Sequence, residues 1–307
     1  MFPSFKSKYD KQSFCVPQHF TFENGFLIIP KLNKSIKVNQ HREFGKNYKI
    51  CFLTILKTKT NKYFVSFVIE EDFTPKTKET NKSIGIDLGI VNLMTFSDNK
   101  KVSNPKIAKK YQKKIKYQQR QHSKKTKKEK NKERVRIRLA KIYEKITNIK
   151  TDYIHKLTSN IVKNHDIIAM EDLDIMNMIK DHKKARFIQE VSWYEIIRQI
   201  KYKSEWNNKR FVQINKWFPS SKTCNNCGYI NQLLKENDRE WECVACNIYH
   251  DRDYNASLNI LKQGLCVLGN KSHDKQKRGE ALKIVSMNNG ESNRVNEPRN
   301  LSALVDR

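Results

Sequence analysis

The sequence is short of acid. Its 307 residues hold 32 Asp and Glu against 61 Lys and Arg, a formal net charge of +29. Self-repulsion on this scale costs stability in a free chain and points to a polyanionic partner. Long apolar runs are missing too: no stretch approaches the ~18 consecutive apolar residues that cross a bilayer, which argues against a helical membrane protein. The opening MFPSFKSKYDKQSF lacks the apolar run of a secretory signal, so a soluble protein of the cytoplasm is expected. No internal repeat is visible. With 37% hydrophobic residues the chain can still bury at least one sizeable core, and its length suits two domains or one domain with insertions.

The basic residues are unevenly spread. Lys106 to Arg138 carries 16 basic residues and 2 acidic ones, a net of +14 out of the chain's +29. A phosphate backbone is the natural counter-charge for such a stripe. The same segment also reads as a solvated helical hairpin with a basic outer face, and the two readings are compatible. The side chains expected to meet nucleic acid are Lys113, Lys114, Lys124, Lys125, Lys127, Lys128, Arg134, Arg136 and Arg138. Their contacts would go to backbones, without base specificity.

Four of the seven cysteines fall in the pattern Cys224-x2-Cys227-x15-Cys243-x2-Cys246, the spacing of a zinc ribbon. Each knuckle lets two thiolates converge on one ion, and the intervening GYINQLLKENDREWE suits a hairpin. A pair of disulfides is the competing reading, disfavoured in a reducing compartment. Four thiolates close the coordination sphere, so the zinc is expected to be structural and His250 is not needed as a ligand. Cys15, Cys51 and Cys266 stand alone and are expected to be buried thiols.

Along the chain, residues 1–80 are β-rich (FTFENGFLIIP, SIKVNQ, YKICFLTILKT, NKYFVSFVIEE) with Asn-Gly and Asn-Lys turn signals, suggesting a small barrel or sandwich. SIGIDLGIVNLMTF follows, where Ile84, Ile86 and Leu88 alternate with Gly85, Asp87 and Gly89. Residues 106–165 are helical in pattern, with an apolar stripe at Ile142, Ile146, Ile149, Tyr153, Leu157 and Ile161. DIIAMEDLDI reads as a buried central strand ending at Glu171. An amphipathic helix with Phe187, Val191, Tyr194, Ile197 and Ile200 inward is expected next, then the strand FVQIN, the ribbon, and a last helix, HDRDYNASLNILKQGL.

Three acids occupy awkward places. Asp87 lies inside an aliphatic strand, Glu171 ends a buried one, and Asp253 opens an apolar helix. Burying a carboxylate is costly unless a cation or hydrogen bonds satisfy it. The carboxyl edge of an α/β sheet is where ligands bind, and acids meeting there could hold one or two Mg²⁺ ions as hard oxygen ligands. Blander readings stay open: a hydrogen-bonded structural Asp87, a solvated Glu171 beside Asp172 and Asp174, and helix-terminus roles for both Asp251 and Asp253.

IGIDLGIVNLMT, the basic helices, IIAMEDLDI, the ribbon from WFPSSKTCNNCG through WECVACN, and HDRDYNASLNIL, in this order, resemble the TnpB (OrfB) proteins of bacterial insertion sequences, relatives of the type V CRISPR effectors. The resemblance covers nearly all of residues 20–265. It implies an α/β chain: a partial β-barrel over 1–80, an RNase H-like (RuvC) nuclease domain over 81–217 with a basic helical insertion at 104–165, a zinc ribbon over 218–247, the last nuclease motif and helix over 248–268, and a disordered polar tail over 269–307. It implies that Asp87, Glu171 and Asp253 hold catalytic Mg²⁺, Asp253 being preferred to Asp251 because D-x-N-A fits the family pattern. It implies two-metal cleavage of a DNA target with a transposon-derived guide RNA, and a separate transposase as a functional associate. The family's N-terminal recognition lobe is expected to be missing, which leaves a cleavage-deficient nucleic-acid-binding remnant as the alternative. GIDLG also opens the phosphate loop of actin-like ATPases, but Ile90, Val91 and Asn92 follow where Thr or Ser is usual.

Overall fold

The computed structural model describes residues 12–45, 47–71, 78–125, 130–180, 185, 188, 190–235, 237–279 and 303–304. The chain divides into two compact units: one takes in residues 1–74, 114–144 and 288–307, the other 75–113 and 145–287. Among the described residues no helix is long and apolar enough to cross a membrane.

The first unit contains two antiparallel sheets. β1 (Gln12–Val16), β5 (Tyr48–Lys57), β6 (Tyr63–Glu71) and β12 (Ala303–Leu304) form one, and β2 (Thr21–Glu23), β3 (Phe26–Ile28) and β4 (Ile36–Lys37) the other. Asn24 and Gly25, with φ of 51° and 79°, make the tight β2–β3 turn that Asn-Gly favours. Val16, Leu27, Ile29, Val38, Leu53, Ile55, Val65 and Phe67 form its core. Cys15 and Cys51 are exposed, contrary to expectation. Cys15 alternates with inward Val16 on β1, and Cys51 sits at a register shift in β5. Cys266, on the last helix, is exposed as well.

The second unit is α/β, built on a mixed five-stranded sheet in the order β11-β10-β7-β8-β9. β7 (Ser83–Asp87), β8 (Asn92–Phe96) and β9 (Lys101–Ser103) form an antiparallel meander, as the turn signal at Asn99-Lys100 predicts. β10 (Ile167–Glu171) runs parallel to β7, and β11 (Arg210–Ile214) parallel to β10. α1 (Ile107–Ser123) and α2 (Lys130–Asn164) lie between β9 and β10 in the chain.

Strand alternation gives the sheet two apolar faces. Ile84, Ile86, Ile168 and Met170 pack with Ile154, Ile161, Ile196 and Ile200 on one side, each fully buried aliphatic contributing about 1.5–3 kcal/mol. Ala169 and Ile214 meet Ile260 of the last helix, α5 (Arg252–Gly279), on the other. The stripe predicted on α2 is apolar as expected at Tyr153, Leu157 and Ile161, but Ile149 is exposed. The amphipathic helix buries Val191 and Ile200 and packs Ile197 against the core as expected, but Tyr194 faces solvent. Ser192 adopts a left-handed conformation, so α4 (Trp193–Trp206) restarts there, following α3 (Ile175–Lys180). Trp193 and Ile196 turn inward in place of Tyr194; Phe187 lies outside the described residues. α5 continues past the predicted end at 268 to Gly279, through Lys, Gln and Arg residues that are good helix formers.

Candidate active site and metal centre

Asp87 and Glu171 end two adjacent parallel strands. Ala169 pairs with Gly85 and Met170 with Ile86, so Glu171 and Asp87 share the sheet's carboxyl edge and the face that carries Gly85 and Ala169. α5 covers that face at very close range. A Cβ on Gly85 would collide with the Ser257 carbonyl oxygen and lie 2.8 Å from Leu261 Cβ, and one on Gly264 would lie 2.5 Å from Ala169 Cβ. Those glycines let the helix settle onto the backbone, bringing its first turn, with Asp253, to the carboxyl edge.

The charges of Glu171 and Asp253 both act on Asp87. Burial pushes the Asp87 carboxyl well above the usual carboxylate range, and the negative charges of Glu171 and Asp253 push it further; Arg252 pulls the other way. Burial also raises Glu171, opposed by the hydroxyl of Ser220, which donates to its Oε1. Asp253 is mostly buried and lies 3.4 Å from Arg239. Asp251 does something else. Its Oδ1 accepts from the backbone N–H of Tyr254 at 2.9 Å, a helix cap, and its Oδ2 pairs with Lys101 at 2.6 Å. Burial alone would raise Asp251, but these contacts hold it below the ordinary range. Asp251 thus caps the helix, while Asp253 lies in its first turn and its charge acts on Asp87.

Two features here escaped sequence reasoning. Ser220 is 49 residues from Glu171, and nothing local marks its hydroxyl as a carboxylate donor. Asn255 and Asn259, one turn apart on α5, hold the same segment: Asn259 Nδ2 donates to the carbonyls of Ser220 and Thr223 at 2.8 and 2.6 Å, and Asn255 Nδ2 to that of Thr223 at 2.7 Å. The signal for these was the i, i+4 spacing of two asparagines on an otherwise apolar helix face.

The four ribbon cysteines meet. Their sulfurs all lie within 4.8 Å of one another, with Cys224–Cys246 at 3.7 Å and Cys227–Cys243 at 3.6 Å. A tetrahedral ion with Zn–S bonds of ~2.3 Å sets its sulfurs ~3.8 Å apart, so the donor set can hold a metal such as zinc. The knuckles are built alike. Gly228 N–H donates to the Cys224 carbonyl at 2.9 Å and Asn247 N–H to that of Cys243 at 2.7 Å, both donors having positive φ. His250 Nε2 lies 3.0 Å from Cys224 Sγ, beside the quartet. Among the described residues, the cysteines are the only group of three or more His, Cys, Asp or Glu gathered this tightly. The acids feel one another's charge without sharing so small a sphere.

The sequence model of the OrfB_IS605 family, described as "Probable transposase", matches residues 66–181, and that of the "Cas12f1-like, TNB domain" matches residues 193–260. A Streptomyces pristinaespiralis protein provisionally named an RNA-guided DNA endonuclease is 33% identical over 80% of this chain and 61% of its own length. The chain is thus similar to the OrfB/TnpB family over most of its length. It is also similar to InsQ of Escherichia coli K12, whose provisional name is the same, at 28% identity over 87% of this chain and 69% of InsQ. The chain thus spans about three fifths of the length of the Streptomyces relative. Its fold matches the Cas12f1 subunit of a cryo-EM complex with guide RNA and target DNA, with a TM-score of 0.50 and 17% identity over 69% of this chain and 45% of that one.

The basic stripe falls on α1 and the start of α2. Lys113, Lys114, Lys124, Arg134 and Arg138 are exposed and Lys125 is half-buried. Arg136 is held by Glu133 through bonds of 2.6 and 2.5 Å. Lys127 and Lys128 lie outside the described residues.

Proposed function

We propose that Asp87, Glu171 and Asp253 form an RNase H-like (RuvC) nuclease centre that hydrolyses DNA phosphodiesters with Mg²⁺, in a chain directed to its target by a bound, transposon-derived RNA. The observation that carries the reading is the convergence of three carboxylates at one sheet edge, where Glu171 and Asp253 both raise Asp87. Such an arrangement is unfavourable by itself and becomes favourable once divalent cations neutralise it. The donor set is all carboxylate oxygen, which suits Mg²⁺. Asp87, Glu171 and Asp253 would hold such ions, whose chemistry would be to activate a water and to stabilise the leaving oxygen.

The chain's residues supply the rest. Asp87 is fixed by the central strand, Glu171 by its neighbour and by Ser220, and Asp253 by the helix seated on Gly85. Zn²⁺ at Cys224, Cys227, Cys243 and Cys246 would hold the ribbon whose leading segment contains Ser220. The exposed lysines and arginines of α1 and α2 would grip nucleic-acid backbones, so the partners are DNA and a guide RNA, with a separate transposase as functional associate.

The test is cleavage of DNA by purified protein with its RNA, with and without Mg²⁺. Asp87→Ala abolishes the Mg²⁺-dependent product and leaves binding largely intact; equal cleavage by the variant would overturn the assignment. A second reading, a remnant that binds without cutting, is favoured by the acids' failure to share a sphere as tight as the cysteines'. A salt-dependent gel shift with no nicking by the unaltered protein would select it.

A further inference from the structure

Trp217 is 80% exposed, unusual for a side chain whose burial normally dominates cores and interfaces. Its turn is nevertheless held firmly. Trp217 N–H donates to Asn215 Oδ1 at 2.9 Å and Phe218 N–H to the Asn215 carbonyl at 3.0 Å. Phe218 packs onto the Ala169, Ile214 and Ile260 cluster, and Ser220 N–H donates to the Phe218 carbonyl at 2.8 Å. The indole is therefore presented outward by an anchored backbone.

The turn is tied to Glu171 on both sides. Ile214, three residues before Trp217, is the register partner of Glu171, and Ser220, three residues after, donates to its carboxylate. Lys216 Nζ stands 5.1 Å from the indole centroid. An open cavity of ≈ 340 Å³ lies here, lined by Asp172, Gln213, Ile214, Asn215, Lys216 and Trp217. An aromatic face with amide groups beside it matches a nucleobase better than an apolar protein surface, and Lys216, though it also lies 3.8 Å from Asp174, puts a positive charge next to it.

We propose that Trp217, with Lys216, is a stacking platform for one base of a single DNA strand, setting that strand's backbone against the Asp87–Glu171–Asp253 edge. The inference rests on the nuclease reading for the strand's destination. Stacking does not read base identity, so the platform tolerates any sequence. Trp217 is a positioning residue: it holds the strand while the carboxylates act.

The experiment uses the full chain in Mg²⁺-free buffer, a thymidine oligonucleotide and its fully abasic counterpart, with tryptophan fluorescence and affinity as readouts. The oligonucleotide quenches the unaltered protein. Trp217→Ala loses most of that quench and about tenfold in affinity; Trp217→Phe loses the quench but keeps affinity within about threefold of the unaltered protein. The abasic oligomer binds the unaltered protein about as weakly as the thymidine oligomer binds Trp217→Ala. Unchanged zinc content and circular dichroism show that the variants fold. Equal affinity of Trp217→Ala and the unaltered protein, or equal affinity for base-bearing and abasic strands, overturns the platform. Cleavage in Mg²⁺ is scored separately. Stacking without cleavage sinks the nuclease reading alone, and cleavage with Trp217-independent binding sinks the platform alone.

Discussion

Gly85 lies so close beneath Ser257 that no side chain fits between them: an added methyl would collide with the Ser257 carbonyl oxygen and crowd Leu261 N and Cβ, both at 2.8 Å. The obstacle is helix backbone, which cannot swing aside. Gly85→Ala is expected to cost about 1–3 kcal/mol, at the upper end of overpacking. It should also lift the first turn of α5 and carry Asp253 away from Asp87. Urea denaturation checks the first effect and Mg²⁺-dependent cleavage the second; a fully stable, fully active variant would show that α5 does not seat there.

Asp251 and Asp253 are two residues apart and should fail in opposite ways. Asp251→Ala removes the cap on Tyr254 N–H and the Lys101 pair. Its cost should be about 0.5–2 kcal/mol of stability, with cleavage kept wherever the protein remains folded. Asp253→Asn removes a charge that raises Asp87, so stability in Mg²⁺-free buffer should hold or rise. Cleavage should fall by more than about a hundredfold, the upper end for residues that only support a metal's ligands, since Asp253 would itself be one. Thermal melts paired with a cleavage assay separate the two.

How far the sequence discloses this site depends on how local each signal is. Asp87 shows itself because two glycines flank it in an aliphatic strand, and Glu171 because a continuous apolar run stops at it. The cysteine spacing carries its own geometry. The division of labour between Asp251 and Asp253 is not local: Lys101, 150 residues away, helps decide it. Ser220 is hidden for the same reason. Tyr194 is the one described residue of the expected inward face that points to solvent, because the helix restarts at Ser192, and a serine within an amphipathic pattern gives no warning of a left-handed backbone. Cys15 and Cys51 look like core residues by type, and only their place in the strand pleat turns them outward.

Asp166 supplies a pH dependence away from the acids. Its carboxylate accepts from Lys209 Nζ, from Thr80 N–H at 2.8 Å and from Asn81 N–H at 2.6 Å. Lys209 first, then these amides, hold it down to about 2 from an ordinary 3.8. The depressed value means that its contribution is complete above the ordinary carboxylate range and is lost as pH falls from about 4 towards 2. Asp166→Asn should therefore be destabilised at pH 7, where buried Lys209 loses its counter-charge. The gap to the unaltered protein should narrow steadily below pH 4. Urea midpoints at a series of pH values test this, and a gap independent of pH would refute it.

Removing metal from the ribbon should be visible at Trp241, which packs with Leu234, Cys224 and Cys243 and is 6% exposed. A strong chelator is expected to shift tryptophan emission to the red and to weaken cleavage, since Asn255 and Asn259 link the ribbon's leading segment to α5. One zinc per chain should be measured in the unaltered protein and in His250→Ala, whose ring lies beside the four thiolates. Cys243→Ala should bind none stably, because a three-thiolate site is left open. Full occupancy in Cys243→Ala, or its loss in His250→Ala, would reassign the ligands.

Ser220→Ala deletes the hydroxyl donated to Glu171 and little else, since the backbone contacts of Ser220 do not involve its side chain. A donor to a carboxylate favours its charged form, so without it burial prevails and the Glu171 carboxyl rises further. Ionised Glu171 then becomes scarce first at the acid end. Cleavage by Ser220→Ala should drop about 10- to 100-fold, the deficit narrowing as pH rises, and the acid limb of the pH profile should move to higher pH. Ser220→Thr, which keeps a hydroxyl, should recover most of the activity. A melting temperature close to that of the unaltered protein would set this apart from structural damage. An unshifted acid limb would mean that the hydroxyl holds the loop rather than the carboxylate.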